Sequence, residues 1–348
     1  METIWFIILG VLLTLFVVLD GFDFGTGIIY LWLAKNNTER RTVLTAIGPI
    51  WDGNEVWLII GGGTLFFAFP SAYASIFSGY YLALILLLWL LIFRGLSMEL
   101  RSQLSDPLWH NFWDTLLVIA SIAITLVLGV ALGNVLRGVP LEADGFFFLP
   151  LWTDFMTGDH PGILDWYTLL TGLFAIALFV VHGANFIALK TGQAIQQRAR
   201  QISRGGNYFV ALFMLILPFA THYVQPTFMQ NYAQHPLGIL LPILAASTLV
   251  LMFIMRSKDN DLYAFAASVS FIVLLLLSVA FSIYPNMLIA TTHSIHNLTI
   301  YNTATSAYAL QTGLIWFSIG APLALIYTLY MYRSFRGKVV LSDDDEGY

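Results

Sequence analysis

The stretch IWFIILGVLLTLFVVLDGFDFGTGIIYLWLA, from Ile4 to Ala34, decides the fold of this chain. It holds no charged residue except Asp20 and Asp23, and it is longer than the roughly 20 residues that a helix needs to cross a bilayer. The stretch therefore predicts a transmembrane helix with two carboxylates inside the membrane.

Eight further apolar runs follow, and each is long enough to span hydrocarbon. With the first, the runs cover approximately 4–34, 47–69, 75–98, 114–134, 163–189, 208–224, 236–255, 261–284 and 307–332. Hydrophobic residues make up 58% of the chain and charged residues 10%, which is typical of a polytopic membrane protein. We predict an all-α membrane protein of nine helices in one domain, 1–348, with no separately folded module.

The distribution of basic residues predicts the orientation. With nine helices, fourteen of the fifteen basic residues fall on one side of the membrane, and only Arg137 lies on the other. The fourteen are Lys35, Arg40, Arg41, Arg94, Arg101, Lys190, Arg198, Arg200, Arg204, Arg256, Lys258, Arg333, Arg336 and Lys338. Because basic residues concentrate in cytoplasmic loops, we predict an outside N-terminus and a cytoplasmic C-terminus.

A faint internal repeat suggests two halves. DGFDF at 20–24 in the first helix resembles HGANF at 182–186 in the fifth, at similar depth and in helices of the same direction. We predict two four-helix bundles, approximately 1–140 and 163–284, plus a peripheral ninth helix at 307–332. The remainder, 333–348, is a short cytoplasmic tail with an acidic end.

Four carboxylates are predicted in the cytoplasmic half of the bilayer. Asp20 and Asp23 form one pair and Asp52 and Glu55 another, each spaced so that both side chains share a helix face. A charge at mid-bilayer costs roughly 2.5–3.5 kcal/mol on insertion scales, so such groups are rare and usually functional. They are candidates for carrying exchangeable protons. Alternatively, they bond backbone groups or Arg94 and only hold the helices together.

Two further charged residues, Glu99 and Arg101, are expected at the cytoplasmic rim in a solvated cluster.

The histidines argue against a haem in this chain, because a haem held between two helices needs imidazoles at matching depth. His182 is the only histidine well inside a predicted helix, and we predict that it is a hydrogen-bonded core residue. His293 and His296 could share a metal, but no carboxylate accompanies them, so a structural role is preferred. The absence of cysteine excludes thiolate-bound haem and iron–sulfur clusters in this chain. We predict no catalytic, cofactor-binding or metal-binding residue.

At its acidic helices the sequence resembles subunit II of cytochrome bd-type quinol oxidases, the bacterial terminal oxidases. The matching segments are LDGFDFGTG at 19–27, TERR at 38–41, WDGNEVWL at 51–58, FSGYY at 77–81, FR at 93–94, GVALGN at 129–134 and GVP at 138–140. The second half matches more thinly, around 183–184 and 190–191.

The resemblance implies a haem-free subunit in a bacterial cytoplasmic membrane, paired with a subunit I that carries haems b and d. Together the two subunits would oxidise quinol and reduce O2 to water with cytoplasmic protons. A structural quinone and a small third subunit occur in some members of the family, and no residue here specifies either. Membrane lipids would surround the complex, and nucleic acid is not a partner.

The resemblance also assigns residues. Asp52 matches an acid at the mouth of a proton path, and Asp20 and Asp23 would line polar space near the subunit interface. Trp57 matches a tryptophan near an oxygen path. Glu55 often corresponds to glutamine in relatives, which weakens a proton role there.

Three residues are expected to support the site: Asn54, Arg94 and Glu99. A proton-coupled secondary transporter remains the alternative function, and a self-contained cytochrome is a third, which the unmatched His182 disfavours.

Overall fold

The computed structural model describes residues 1–158 and 161–340, and these are mainly helical. The helices are α1 (Glu2–Leu19), α2 (Gly21–Leu33), α3 (Asn37–Ile47), α4 (Trp51–Ala68), α5 (Pro70–Gly79), α6 (Tyr81–Leu100), α7 (Pro107–Arg137), α8 (Trp166–Lys190), α9 (Gln193–Val224), α10 (Gln230–Gln234), α11 (Leu240–Ser257), α12 (Asp261–Ile283) and α13 (Ala307–Ser334). Two short antiparallel strands, β1 (Asn286–Leu288) and β2 (Leu298–Thr299), form a hairpin between α12 and α13.

Within the described residues, eight helical segments are long and apolar enough to cross a membrane, so the chain is a multi-pass membrane protein. The first of these joins α1 and α2. The second predicted run forms α4, which has 18 residues. Its first turn is polar, so the mean hydropathy of α4 is lower than that of the eight membrane-spanning segments. The predicted run at 75–98 is divided between α5 and α6 at Tyr80.

Two other boundaries differ from the prediction. The segment before α4 forms a separate helix, α3, because the Asn36 side chain accepts a hydrogen bond from the Glu39 backbone N–H and starts a new helix. The sixth predicted helix, 208–224, starts earlier, at Gln193. Its first turns are polar, so an apolar run could not indicate where the helix begins.

The ends of the molecule differ in charge. One end holds the C-terminal ends of α2, α6 and α8 and the N-terminal ends of α4, α7 and α9. Salt bridges such as Arg40–Asp114 and Arg198–Glu39 join neighbouring elements at this end. We call this the basic end. At the opposite end, the loop after α7 and the loop after α12 pack together through a backbone bridge between Val139 and Ala290.

The two halves of the chain meet most closely where α2 crosses α8. A Cβ on Gly25 would lie 1.7 Å from the Phe179 carbonyl oxygen, and a Cβ on Gly183 would lie 2.4 Å from the Thr26 nitrogen. Only glycine permits this approach, which follows the rule that small residues let membrane helices pack closely. The crossing places the end of α1 beside α8 and fixes the position of Asp20.

The last helix, α13, lies at the periphery. Of its residues only Leu310 and Met331 are buried. It contacts α1 through a hydrogen bond from Trp5 Nε1 to the Leu310 carbonyl (3.1 Å), and it contacts α4 through the Tyr332 hydroxyl.

Candidate functional site

The site is built around a one-residue interruption of the first membrane segment at Asp20, between α1 and α2. The carbonyl groups in the last turn of a helix lack regular helical partners, so side chains can bind them. His182 Nε2 lies 2.9 Å from the Val18 carbonyl, and Asn54 Nδ2 donates to the Leu19 carbonyl at 3.1 Å. Two side chains from different helices therefore hold the carbonyls that precede Asp20.

A group that we call the acidic cluster surrounds this interruption. It consists of Asp20 and Asp23 on the first membrane segment, Asn54 and Glu55 on α4, and Arg94 on α6. Arg94 Nη2 donates to Asp20 Oδ1 at 2.8 Å and lies 3.9 Å from Asp23 Oδ2, while its Nη1 lies 3.6 Å from Glu55 Oε2. The structure thus brings together five of the residues that the sequence singles out.

Hydrogen bonds satisfy only some of the carboxylate oxygens in the cluster. Asn54 Nδ2 donates to Asp23 Oδ2 at 2.7 Å, and the Tyr332 hydroxyl donates to Asn54 Oδ1 at 2.8 Å. Within the described residues, Asp20 Oδ2 and Asp23 Oδ1 are buried without a hydrogen-bond partner in the protein. Each acid therefore presents an oxygen that a proton can occupy.

The charge balance of the acidic cluster has a chemical consequence. Three carboxylates surround one guanidinium, so two negative charges would be uncompensated if every acid were ionised. Asp20, Asp23 and Arg94 are almost fully buried, where an uncompensated charge is expensive. An arrangement of this kind suits groups that take up and release protons rather than a closed ion pair.

Asp52 lies apart from the acidic cluster. It occupies the first turn of α4 and is exposed, one turn before Glu55 on the same helix. Glu55 lies between the exposed position of Asp52 and the buried acidic cluster, since 20% of its side chain is exposed while its carboxylate approaches Arg94. The structure therefore places Asp52, Glu55 and the buried acids in order of increasing burial.

Two other predicted site residues lie elsewhere. Trp57 is buried inside this chain, 3% exposed, in an apolar cluster that includes Phe16 and Phe24. Glu99 is exposed near the end of α6.

The prediction of a solvated cluster at Glu99 and Arg101 is wrong for Arg101, which is 2% exposed. Its Nε donates to Asp114 Oδ1 at 2.6 Å, and Asp114 also accepts from the Tyr30 hydroxyl (2.8 Å) and Arg40 Nη1 (2.7 Å). The physical reason is that Asp114, at the start of an apolar run, offers Arg101 a buried anion. A lone acid in that position was the available signal.

A second buried ion pair joins Arg137 and Asp165 at the opposite end. Arg137 Nη1 donates to Asp165, its Nη2 donates to Asn134 Oδ1 at 2.6 Å, and both Nη1 and Nε contact backbone carbonyls. Asp165 also caps α8 by accepting from the backbone N–H groups of Tyr167 and Thr168. Sequence analysis placed Arg137 in a loop and missed this pair.

The His182 side chain is a hydrogen-bonded core residue, as predicted. Its Nδ1 lies 2.8 Å from Ser268 Oγ and its Nε2 binds the Val18 carbonyl, so both ring nitrogens are occupied. The residues of this chain therefore do not fit a haem at His182.

The rings of His293 and His296 pack edge to face, and no group of three or more potential metal ligands occurs in the described ranges. His160 and the acidic tail residues Asp343, Asp344, Asp345 and Glu346 lie outside the described residues.

The sequence and fold are similar to those of known proteins along nearly their whole length. The family "Cytochrome bd terminal oxidase subunit II" matches residues 1–335. Cytochrome bd-I ubiquinol oxidase subunit 2 of Escherichia coli K12 is 30% identical, over 98% of this chain and 95% of the relative. Cytochrome bd ubiquinol oxidase subunit 2 of Bacillus subtilis is 31% identical, over 97% of each chain.

A solved structure shows the same fold. A chain of the bd oxidase from Geobacillus thermodenitrificans superposes with a TM-score of 0.75 at 17% identity, over 96% of this chain and 98% of that one. These similarities favour an oxidase subunit over the transporter alternative. Since the family match covers almost the entire sequence, the chain belongs to the cytochrome bd terminal oxidase subunit II family and is a subunit of a quinol oxidase.

Proposed function

We propose that this subunit delivers protons from the cytoplasm for the reduction of O2 to water by its oxidase complex. The observation that carries the proposal is the acidic cluster, in which carboxylates outnumber the guanidinium and two buried carboxylate oxygens have no partner within residues 1–158 and 161–340. A cluster that served packing alone would gain from one acid per base and a complete set of hydrogen bonds.

The proposed route begins at Asp52, passes Glu55 and ends at Asp23 and Asp20. Asp52 is exposed, Glu55 is partly buried, and Asp23 and Asp20 are buried. A proton that enters at Asp52 would therefore pass to carboxylates of increasing burial. Glu55 is supported as an intermediate by its position beside Arg94. Arg94 and Asn54 would hold the acids in place.

The orientation that this route needs is part of the proposal. We infer nine membrane helices, with α4 as the ninth beside the eight apolar segments, an outside N-terminus and a cytoplasmic C-terminus. The concentration of basic residues at the end that contains Asp52 supports this orientation. The chain would lie in a bacterial plasma membrane, with two four-helix halves and α13 beside them.

The haem chemistry belongs to the partner in this proposal. Subunit I would carry haems b and d and oxidise quinol, in agreement with the names of the relatives, which are ubiquinol oxidase subunits. His182 supports this division because both of its ring nitrogens are engaged inside the core. Membrane lipids are further expected partners, and no residue specifies a structural quinone or a small third subunit.

A role in oxygen delivery is proposed for the surroundings of Trp57. The side chain packs in an apolar cluster with Phe16, Phe24 and Phe179, and an apolar path is the environment that favours O2 over water. An indole at this position would line such a path from within this chain.

The test of the proton route is Asp52→Asn in the purified complex. Asn is nearly isosteric with Asp but has no exchangeable carboxyl proton. We expect normal haem content, with oxidase turnover lowered about tenfold, which corresponds to roughly 1.4 kcal/mol on the barrier. Haem content, quinol-dependent O2 consumption and proton uptake would be measured on the same preparation.

Asp259→Asn is the matched control, since Asp259 is an exposed acid at the same end with a backbone conformation (φ 53) that asparagine tolerates. Its turnover should be normal. Normal proton uptake in Asp52→Asn, or loss of the haems together with activity, would contradict a proton-delivery role.

A further inference from the structure

His182 links the two halves of the molecule at the depth of the acidic cluster. The side chain is fully buried on α8, reaches Val18 at the end of α1 and bonds Ser268 on α12. Its ring stacks on Phe265, with ring centroids 5.1 Å apart and planes within 9°. The imidazole is therefore fixed in position and in orientation by three helices.

The hydrogen-bond partners determine which nitrogen carries the proton. A carbonyl oxygen can only accept, so Nε2 must donate to Val18. Nδ1 faces the Ser268 hydroxyl oxygen at 2.8 Å, and the single proton of that hydroxyl also lies within reach of the Phe265 carbonyl at 2.7 Å. The Val18 carbonyl thus requires the form of His182 with a proton on Nε2, and Ser268 contacts the ring from the Nδ1 side.

The bond to Val18 acts two residues before Asp20. Asn54 holds the next carbonyl, that of Leu19, and the same side-chain nitrogen binds Asp23. The carbonyls of Val18 and Leu19 are therefore held by α8 and α4 respectively, and the residue that follows them carries the carboxylate that meets Arg94 at 2.8 Å. Without a donor at Val18, the end of α1 is free to shift and turn this carboxylate.

We propose that His182 is a positioning residue for proton delivery, which holds the Val18 carbonyl and thereby keeps the Asp20 carboxylate directed at Arg94. This inference rests on the proposed function of the acidic cluster. It assigns a role in that function to the second half of the chain, whose side chains lie outside the proposed proton route.

The experiment compares His182→Leu, His182→Gln and Asp20→Asn in the purified complex. Leucine removes the donor, whereas glutamine keeps an N–H of similar reach. We expect His182→Leu to lower kcat about fivefold with KM for quinol and haem content unchanged, the size expected for one lost hydrogen bond to a positioned group. Glutamine should restore kcat to within about twofold of the wild type, and proton uptake should follow kcat in each variant.

Tyr232→Phe is the matched control, because the Tyr232 hydroxyl also donates to a buried helical carbonyl, that of Ser278, far from the acidic cluster. It should leave kcat unchanged. If the complex does not assemble with leucine, Ser268→Ala replaces it as the test, and a kcat lowered about twofold is expected because the imidazole loses its contact at Nδ1 and is held less firmly against Val18.

The outcomes separate the two proposals. Normal kcat in assembled His182→Leu, or no recovery with glutamine, overturns the positioning role while a slow Asp20→Asn leaves the proton function standing. Normal kcat in Ser268→Ala has the same meaning where leucine prevents assembly. Normal kcat and proton uptake in Asp20→Asn overturn both.

Discussion

Two buried groups of charges in this molecule are built differently. In the Arg137–Asp165 pair, one carboxylate meets one guanidinium, and both are further bonded to Asn134, backbone carbonyls and backbone N–H groups. In the acidic cluster, Arg94 faces three carboxylates, and one oxygen each of Asp20 and Asp23 has no hydrogen-bond partner among the residues that the structure describes. Both groups are buried, so burial alone does not distinguish them.

We propose that this difference reflects different roles. A balanced, fully bonded pair repays part of its desolvation cost and holds elements together, here α7 and the start of α8. An unbalanced cluster is a poor way to stabilise a fold, and its open acceptor atoms suit proton exchange. Replacing an acid should therefore affect stability in the first group and turnover in the second.

The largest effect on stability is expected for Asp165→Asn. Asparagine can still cap α8 through its side-chain oxygen. The Arg137 side chain, however, is only 2% exposed and loses its only counter-ion among the described residues. Breaking a buried pair costs about 3–5 kcal/mol. Thermal unfolding of the purified complex should show a lowered midpoint and loss of haem, while a retained midpoint would remove the structural role assigned to the pair.

For Asp20→Asn we expect the opposite pattern. Arg94 keeps Asp23 and Glu55 nearby, and asparagine can still accept a hydrogen bond, so stability should change by less than about 1 kcal/mol. Turnover should fall about tenfold, because the group can no longer carry a proton. Stopped-flow O2 consumption and thermal unfolding on one preparation would reveal a structural role if the midpoint fell as far as in Asp165→Asn.

A smaller effect is expected for Tyr332→Phe. The Tyr332 hydroxyl fixes the Asn54 amide that binds Asp23, so its removal should loosen that acid without removing any charge. The loss of one hydrogen bond, about 1 kcal/mol, predicts turnover lowered roughly two- to fivefold at normal haem content. Tyr327→Phe, on an exposed part of the same helix, is the control, and equal turnover in both variants would exclude Tyr332 from the site.

Much of the fold follows from local sequence. The nine apolar runs are largely helical, and eight helical segments in the described part of the chain are long and apolar enough to cross a membrane. Backbone groups in hydrocarbon must be bonded internally, so a long apolar run favours a helix. The interruptions at Asp20 and Tyr80 and the early start of α9 could not be predicted. The interruption at Asp20 involves His182 and Asn54, which come from elsewhere in the chain, and the first turns of α9 are polar.

The candidate site could be predicted in part. Acids inside an apolar run need a cation, and Arg94 was the available one at similar depth, so this association follows from charge alone. Tyr332 could not be predicted, because a tyrosine near the end of a membrane helix usually marks only the interface. Arg101 was misjudged because its partner Asp114 lies on the following helix. Asp114 was visible in the sequence as a lone acid at the start of an apolar run, but only the fold shows that the two residues meet.

The most direct test of the proton function is infrared difference spectroscopy of the complex as it is reduced and reoxidised. Proton-exchanging acids should give a protonated-carboxyl stretching signal that shifts in D2O. We predict that this signal is present in the wild type, lost or reduced in Asp20→Asn and Asp23→Asn, and unchanged in any Asp165→Asn complex that assembles. A signal that is identical in the wild type and in both cluster variants would contradict the account, because the buried acids would then carry no exchanging proton.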